Sequence, residues 1–189
     1  GESKWVTNSL CRKRVQLLRS ENDGILIGKN SIIIDNPRLN LRDQFDKIEN
    51  KPIFILDTNF GLSESENLLL FDKLGREKVN IITNREPKDV ASKVSDFFKG
   101  VNFEKSVKEH GVLNIEEILK IISRKGVNRL LVEGGARVWT SFIKTGFFDE
   151  IVMFTGHSII NESSISCFND FLPLDTRLRD FPNLTLISL

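Results

Sequence analysis

The sequence predicts an α/β domain in which a mostly parallel sheet is flanked by helices on both faces. Short apolar runs recur at residues 25–27, 52–57, 79–83 and 130–132. Continuous apolar runs of this length are typical of strands that are buried on both faces. Segments with helical periodicity separate these runs, and the alternation of strands with helices favours a parallel sheet covered on its two sides.

The length and composition indicate one folded domain spanning residues 1–189. With 40% hydrophobic and 28% charged residues, the chain has the composition of a globular protein and not of a disordered one. A chain of 189 residues is long enough to bury about 70% of the surface that its unfolded form exposes. No second domain is needed to explain its size.

Charge and cysteine content argue against several classes of partner. The formal net charge of +1 gives no support for nucleic-acid binding. No apolar run approaches the length of a membrane span, and no signal peptide is recognisable. Cys11, Cys167, His110 and His157 do not form a zinc-binding spacing or a disulfide framework, so no metal is expected and a reducing cytoplasm is the natural setting.

In the first half of the chain, Thr7 is predicted to cap a helix that extends to about Ser20. In this helix Leu10, Leu17 and Leu18 lie near one stripe. A strand follows at residues 25–27, a short helix or strand at 32–34, and a turn at Asp35-Asn36-Pro37. Two further strands are predicted at residues 52–57 and 79–83, with a short helix near 68–71 between them.

The clearest helix begins after Asn114 and ends at Gly126. Apolar residues recur at i, i+3, i+4 and i+7 from Ile115, and Glu117 lies three residues after the cap. A strand at residues 130–132 and a helix at 135–144 follow. Two last strands are predicted at 151–154 and 184–187.

The most informative stretch is Leu-Leu-Val-Glu-Gly-Gly-Ala at residues 130–136. Two glycines at the joint between a strand and a helix let the backbone approach a ligand, and the helix start offers unpaired N–H groups to an anion. The Rossmann and Walker glycine spacings are both absent. By itself a Gly-Gly turn fits a structural role equally well.

Two other segments carry candidate ligand-binding groups. Asp35, Arg38 and Arg42 lie on a turn beyond a strand, where they could meet a ligand, although a solvated Asx-Pro turn is the simpler interpretation of this segment alone. Trp5, in the hydrophilic segment 1–5, could cover a ligand ring or the edge of the core. None of these segments establishes a site when taken alone.

Taken in order, the motifs resemble the riboflavin-biosynthesis reductase domain. They are Gly-Glu-Ser-Lys-Trp at 1–5, a helix ending at Arg19, residues 25–28 with Ser31, residues 35–42, residues 131–136 and Phe148-Asp149-Glu150. The resemblance covers nearly the whole chain and implies a dihydrofolate-reductase-like fold. It also implies NADPH-dependent reduction of 5-amino-6-(5-phosphoribosylamino)uracil to the ribitylamino product, an oxidoreductase step of riboflavin biosynthesis.

The resemblance further implies two groups of site residues. The cofactor NADPH would be bound by Trp5, Ser31, Asp35, Gly134, Gly135, Ala136 and Arg137. The phosphorylated pyrimidine substrate would be bound by Ser3, Arg19, Leu39, Arg42 and Glu133. Guanidinium groups suit a ribose phosphate, and a carboxylate suits pyrimidine N–H groups or ribose hydroxyls. Hydride would pass directly from the nicotinamide to the ribose C1′, with Asp35 and Glu133 the best candidates for a catalytic group.

The resemblance also raises expectations about chain ends and partners. Relatives have a strand before the segment that matches residues 1–5 and one more strand after the equivalent of Leu189, so we expect this sequence to lack both. Relatives often form homodimers and are often fused to an upstream zinc deaminase, whose motifs do not occur in this sequence. A group for the cofactor 2′-phosphate stays open among Lys29, Arg85 and Arg137. The alternatives are a reductase of another small heterocycle on the same fold and a non-catalytic nucleotide-binding module.

Overall fold

The computed structural model describes residues 8–42, 50–64, 67–72, 74–86, 89, 96–155 and 184–188. The α-helices in these ranges are α1 (Ser9–Glu21), α2 (Lys29–Asp35), α3 (Ile115–Arg124) and α4 (Ala136–Thr145). The strands are β1 (Gly24–Gly28), β2 (Ile53–Leu56), β3 (Val79–Thr83), β4 (Asn102–Lys105), β5 (Lys108–Glu109), β6 (Val112–Leu113), β7 (Leu130–Gly134), β8 (Ile151–Thr155) and β9 (Leu184–Ser188). Short 3-10 helices lie at Gly61–Glu64, Leu69–Asp72, Arg76–Lys78 and Asp96–Phe98.

Five strands form one parallel sheet in the order β4-β3-β2-β1-β7. β5 and β6 form a short antiparallel hairpin, and β8 pairs with β9 in parallel. The predicted mostly parallel sheet is therefore confirmed. Because the five strands run in one direction, their carboxyl ends lie along a single edge of the sheet.

Alternation along the strands separates two apolar layers. On one face, side chains such as Ile25, Ile53 and Ile81 pack with Ile32 of α2. On the other face, Leu26, Phe54 and Ile82 pack with apolar residues of α3 and α4, among them Ile118, Ile122 and Phe142. Successive strand residues point to opposite faces, so both layers come from the same strands. Helices cover the sheet on both sides, as the continuous apolar runs predict.

Helix α1 departs from the sequence prediction at its start and in its buried face. Asn8 is the N-cap, and its side chain accepts a hydrogen bond from the Cys11 N–H at 3.0 Å; Thr7, the predicted cap, lies outside the described residues. Leu10 is 58% exposed, whereas Gln16 and Arg19 are buried. The prediction that Leu10 belongs to a buried stripe is wrong, because this helix turns polar side chains toward the interior of the protein.

Helix α3 begins as its sequence predicts. The Asn114 side chain accepts from the Glu117 N–H at 2.9 Å, which satisfies one of the free donors of the first turn. The Glu117 carboxylate accepts from the Val107 N–H and from the Ser106 hydroxyl. These two hydrogen bonds lower the pKa of Glu117 below its ordinary value.

Residues 102–113 form strand β4 and the β5–β6 hairpin, neither of which the sequence predicts. β4 has the sequence Asn-Phe-Glu-Lys and is half-buried to exposed. It is an outer strand of the sheet, where polar and charged residues are common and the apolar signal of an inner strand is absent. In the ambiguous stretch 32–34, the structure has helix α2.

Candidate active site

The candidate site lies at the carboxyl ends of β1 and β7, which are neighbours in the sheet. In parallel α/β sheets, ligands bind in the crevice beyond these ends. Helix α2 begins directly after β1, and the glycine pair and helix α4 follow β7. The connections that carry the predicted residues are therefore next to one another.

Arg19 and Glu133 form a two-point ion pair that joins α1 to the end of β7. The Arg19 Nε donates to Glu133 Oε1 at 2.5 Å, and Nη2 donates to Oε2 at 2.7 Å. The two side chains are only 8% and 15% exposed. Removing one partner of such a buried pair leaves an uncompensated charge, at a cost of about 3–5 kcal/mol.

A β-bulge in β7 places Glu133 in this position. Leu26 of β1 is opposite Val132, but the next β1 residue, Ile27, is opposite Gly134. Glu133 is therefore the extra residue between the two paired positions. Bulges redirect side chains and are frequent beside active sites, and here the bulge coincides with the residue that binds Arg19.

The loop at residues 36–42 is attached to the same helix face. The Arg19 Nη1 donates to the Asn40 carbonyl oxygen at 3.4 Å. One helical turn earlier, the Gln16 side chain accepts from the Arg42 N–H at 3.0 Å. Asn40 is 9% exposed, and its Oδ1 is a buried side-chain atom without a hydrogen-bond partner. We call Gln16, Arg19, Asn40, Arg42 and Glu133 the Arg19 corner.

The two glycines after Glu133 lie against β1, α2 and α4 at close range. An ideal Cβ on Gly135 would lie 2.8 Å from the Ser31 Oγ, and one on Gly134 would lie 2.8 Å from the Trp139 ring. Gly134 also has φ +112°, a conformation that side-chain-bearing residues avoid. A Cβ on Gly28 would meet the Val138 side chain at 2.9 Å. We call Gly134 and Gly135 the glycine bend.

Helix α4 begins at this bend without a side-chain cap. Gly135 is the N-cap and makes no side-chain hydrogen bond to the first turn. The N–H groups of Val138 and Trp139 donate to the Gly135 carbonyl oxygen, which closes the first turn. The earlier N–H groups of the helix and the positive end of its dipole are features that suit an anionic group.

The structure brings only some of the predicted site residues together. Arg19 contacts Glu133, and Ser31 faces Gly135. Arg42 is attached through its backbone while its residue is exposed. Exposed residues also include Asp35, at the last residue of α2, and Arg137, in the first turn of α4.

Leu39 occupies an unusual position for a predicted substrate residue. Its side chain is 3% exposed and belongs to the apolar layer that contains Ile25. Its φ of +53° lies in the left-handed region, which is uncommon for a residue other than glycine. The side chain is a core residue, so any ligand contact at this position would come from its main chain. Ser3 and Trp5 lie outside the described residues.

Three residues near the predicted set were not found from the sequence. Gln16 lies three residues before Arg19, so helical spacing could have placed it on the same face. Asn40 and Trp139 had no such signal, because their roles depend on contacts across the fold.

In the described part of the chain, no cluster of three or more His, Cys, Asp or Glu side chains could hold a metal ion. No helix in those ranges has the length and apolarity needed to span a bilayer.

Known proteins with similar sequences and structures point to one family. A family model described as RibD C-terminal domain matches residues 1–162. The riboflavin biosynthesis protein RibD of Aquifex aeolicus is 35% identical over 163 residues, which cover 86% of this chain and 42% of that protein. A Buchnera aphidicola (subsp. Acyrthosiphon pisum) protein named 5-amino-6-(5-phosphoribosylamino)uracil reductase is 23% identical over 175 residues, which cover 87% of this chain and 80% of that protein. This chain thus spans less than half the length of the Aquifex relative.

A solved structure gives the same result for the fold. Acinetobacter baumannii RibD, form 1, aligns with a TM-score of 0.69 at 23% identity, over 94% of this chain and 47% of that chain. The expected dihydrofolate-reductase-like fold and the resemblance noted in the sequence are both confirmed.

Proposed function

Because the chain belongs to the RibD C-terminal domain family, we propose that it reduces 5-amino-6-(5-phosphoribosylamino)uracil to its ribitylamino product with NADPH. The observation that carries this proposal is the placement of Glu133 and the glycine bend at consecutive residues of one strand end. Glu133 is held by Arg19, and the bend faces Ser31. The charged Arg19 corner, proposed to bind the substrate, thus adjoins the glycine bend, whose main chain is proposed to bind the dinucleotide.

The Arg19 corner has unused hydrogen-bonding capacity that suits the proposed substrate. Arginine has five N–H donors, and within the described part of the chain the three contacts to Glu133 and Asn40 leave two of them. Each Glu133 oxygen accepts one hydrogen bond from Arg19 and keeps a lone pair for a pyrimidine N–H or a ribose hydroxyl. Arg42 is exposed, and its main-chain N–H is hydrogen-bonded to Gln16 one helical turn before Arg19; its guanidinium suits the ribose phosphate through a bidentate contact.

The glycine bend fits the cofactor. The missing side chain at Gly135 lets the Ser31 hydroxyl lie directly against the bend, and the uncapped start of α4 suits the pyrophosphate. When bound, NADPH supplies the hydride that reduces the ribose C1′ and opens the sugar. In this proposal the residues of the chain orient the two ligands, and the Glu133 carboxylate is the candidate group for stabilising the electron-deficient C1′. Asp35 remains a candidate contact at the nicotinamide side.

Among the three candidates for the 2′-phosphate, we favour Lys29 and Arg85. The Lys29 Nζ would lie 2.8 Å from a Cβ on Gly61, and the Arg85 Nε donates to the Asn59 carbonyl oxygen at 3.2 Å. Both cations thus border the loop that follows β2, the neighbour of β1, whereas Arg137 lies on α4 nearer the proposed pyrophosphate. The Lys29→Ala substitution should weaken binding of 2′-phospho-ADP-ribose about tenfold in calorimetry and leave binding of ADP-ribose unchanged. Equal weakening of both would assign Lys29 to another part of the cofactor.

The proposed activity is tested by the loss of NADPH absorbance in the presence of the substrate. Wild-type protein should oxidise NADPH, and Arg42→Ala should reduce kcat/KM about 100-fold through loss of the phosphate contact. Arg124→Ala, an exposed change on α3, is the matched control and should have no effect. Turnover of dihydrofolate in place of the pyrimidine would favour the alternative that the protein reduces another small heterocycle. A lack of saturable NADPH binding would favour the alternative of a non-catalytic nucleotide-binding module.

We also propose that the outer edge of β7 pairs with a strand from outside the described residues. Leu130, Leu131 and Val132 give this edge an apolar character, yet they are only half-buried. A long apolar edge strand attracts another strand. Hydrogen exchange of the β7 amides should slow in a chain extended upstream of Gly1; unchanged exchange would oppose this pairing. The resemblance supports four further proposals: a strand beyond Leu189, a homodimer, a fused deaminase and a cytoplasmic location. Light scattering of the purified protein tests the dimer.

A further inference from the structure

The indole of Trp139 contacts the main chain on both sides of the β7 bulge. Its Nε1–H donates to the Val132 carbonyl oxygen at 3.1 Å. Its six-membered ring lies so close to Gly134 that a Cβ there would be 2.8 Å from Cζ2. Val132 and Gly134 are the two residues that flank Glu133. One side chain therefore spans the irregular part of the strand.

A bulged residue needs support from outside the strand ladder. The extra residue of a bulge has no direct partner on the neighbouring strand, so regular pairing does not fix its orientation. Arg19 holds the Glu133 carboxylate, but that contact comes from a different helix and acts only on the end of the side chain. The indole contacts act on the main chain at both flanking residues.

Trp139 does not belong to the apolar core beneath its helix. The α4 residues Val138 and Phe142 belong to the core layer that contains Leu26, whereas Trp139 is half-buried and is not among the residues of either layer. Its ring packs instead against the glycine bend. This position favours a role at the site over a role in filling the core.

We propose that Trp139 is a positioning residue that fixes the β7 bulge and thereby aims the Glu133 carboxylate at Arg19 and at the substrate. The role toward the substrate rests on the proposed function, whereas the role toward Arg19 does not. Because the same ring also supports Gly134, Trp139 connects the Arg19 corner with the glycine bend. Loss of the indole N–H should loosen Glu133, and a replacement that keeps the bicyclic shape separates this effect from loss of the ring that packs against Gly134.

The first test follows the Arg19 Nε–H by nitrogen-edited NMR, with the resonance assigned by its loss in Arg19→Lys. In wild-type protein this proton should exchange slowly with water, because it is buried in a bond to Glu133. Trp139→Phe should speed its exchange at least tenfold. Phe142→Leu, a buried change on the same helix, is the matched control for general loosening of α4 and should leave the exchange within twofold of wild type.

The second test separates substrate affinity from cofactor affinity. Trp139→Phe and benzothienylalanine at position 139 should both raise the substrate KM at least fivefold, because both lack the indole N–H. Benzothienylalanine keeps the bicyclic shape against Gly134, so its Kd for NADPH should stay within twofold of wild type, a split that loss of folded protein would not produce. If Trp139→Phe fails to fold, the benzothienylalanine protein is expected to show the same acceleration of Arg19 Nε–H exchange.

Slow exchange of the Arg19 Nε–H in Trp139→Phe, or equal acceleration in Phe142→Leu, would overturn the positioning role. If wild-type protein does not turn over the pyrimidine but the NMR result is as expected, the proposed function fails and the role toward Arg19 stands. If turnover is normal in wild type and the KM is unchanged in Trp139→Phe, the positioning role toward the substrate fails and the proposed function stands.

Discussion

The Arg19 corner and the glycine bend meet at the end of β7, where Glu133 of the corner is followed by Gly134 of the bend. The two regions are nevertheless formed by opposite means. The corner is held by long side chains from α1 that reach across the fold to Glu133 and to the loop at 36–42. The bend is held by the absence of side chains, which lets β1, α2 and α4 approach its backbone. The corner should therefore be sensitive to the loss of a charge, and the bend to the gain of a single methyl group.

The largest effect is expected from Arg19→Met, which leaves the Glu133 carboxylate half-buried and unpaired. This change should lower the free energy of unfolding by about 4 kcal/mol, as measured by urea denaturation. The double variant Arg19→Met/Glu133→Leu should lose at least 2 kcal/mol less unfolding free energy than the sum of the losses in the two single variants. Arg124→Met on the exposed face of α3 is the control, expected within about 0.5 kcal/mol of wild type. Additive single effects would show that the ion pair does not organise the corner.

Gly134→Ala tests the bend and should be nearly as severe. The new Cβ would meet the Trp139 ring at 2.8 Å on a backbone with φ +112°. Together these should cost about 3 kcal/mol in thermal or urea unfolding. Gly146→Ala, also at positive φ but with no atom within 4 Å of its Cβ, is the matched control and should cost about 1 kcal/mol. Equal costs would mean that the close contact with Trp139 is unimportant.

Gly135→Ala separates packing from cofactor binding within the bend. Among the described residues its Cβ would meet only the Ser31 Oγ, a small group at the end of a side chain, so the cost in stability should be about 1.5 kcal/mol. The methyl group would narrow the space proposed for the cofactor, and the Kd for NADPH should rise about tenfold in calorimetry. Adding Ser31→Ala should recover the stability. A cofactor affinity that is unchanged in Gly135→Ala would place the dinucleotide elsewhere.

The smallest effect is expected from Glu117→Gln, which lies outside both regions and shows what one partly exposed, hydrogen-bonded carboxylate contributes. The hydrogen bonds from Val107 and Ser106 lower the pKa of Glu117, so the stabilisation is complete above its ordinary value near 4.5 and is lost as pH falls through the lowered value. At neutral pH the substitution should cost about 1 kcal/mol, since the group is partly exposed. Unfolding between pH 2 and 7 should show a flatter pH dependence for the variant, with NADPH affinity unchanged. An identical pH dependence would remove Glu117 as a source of acid sensitivity.

Much of the fold could be predicted because its signals are local. The apolar run at 79–83 and the periodic helix after Asn114 agree with β3 and α3, since burial of a strand or of one helix face requires apolar side chains at fixed spacing. Strand β4 could not be predicted in this way, because its sequence, Asn-Phe-Glu-Lys, has no apolar run and its side chains are half-buried to exposed. The polar stripe of α1 was missed because it faces Glu133 and the loop at 36–42 instead of the apolar core.

The sequence by itself determined the order of the strands along the chain, the helix starts that have local caps, and the presence of two glycines where a strand meets a helix. These depend on interactions between residues a few positions apart. Only the tertiary structure decided that Arg19 pairs with Glu133, 114 residues away, and that a bulge and Trp139 orient that glutamate. No local pattern encodes these contacts, because they exist only once packing of the sheet and helices has brought α1, β7 and α4 together.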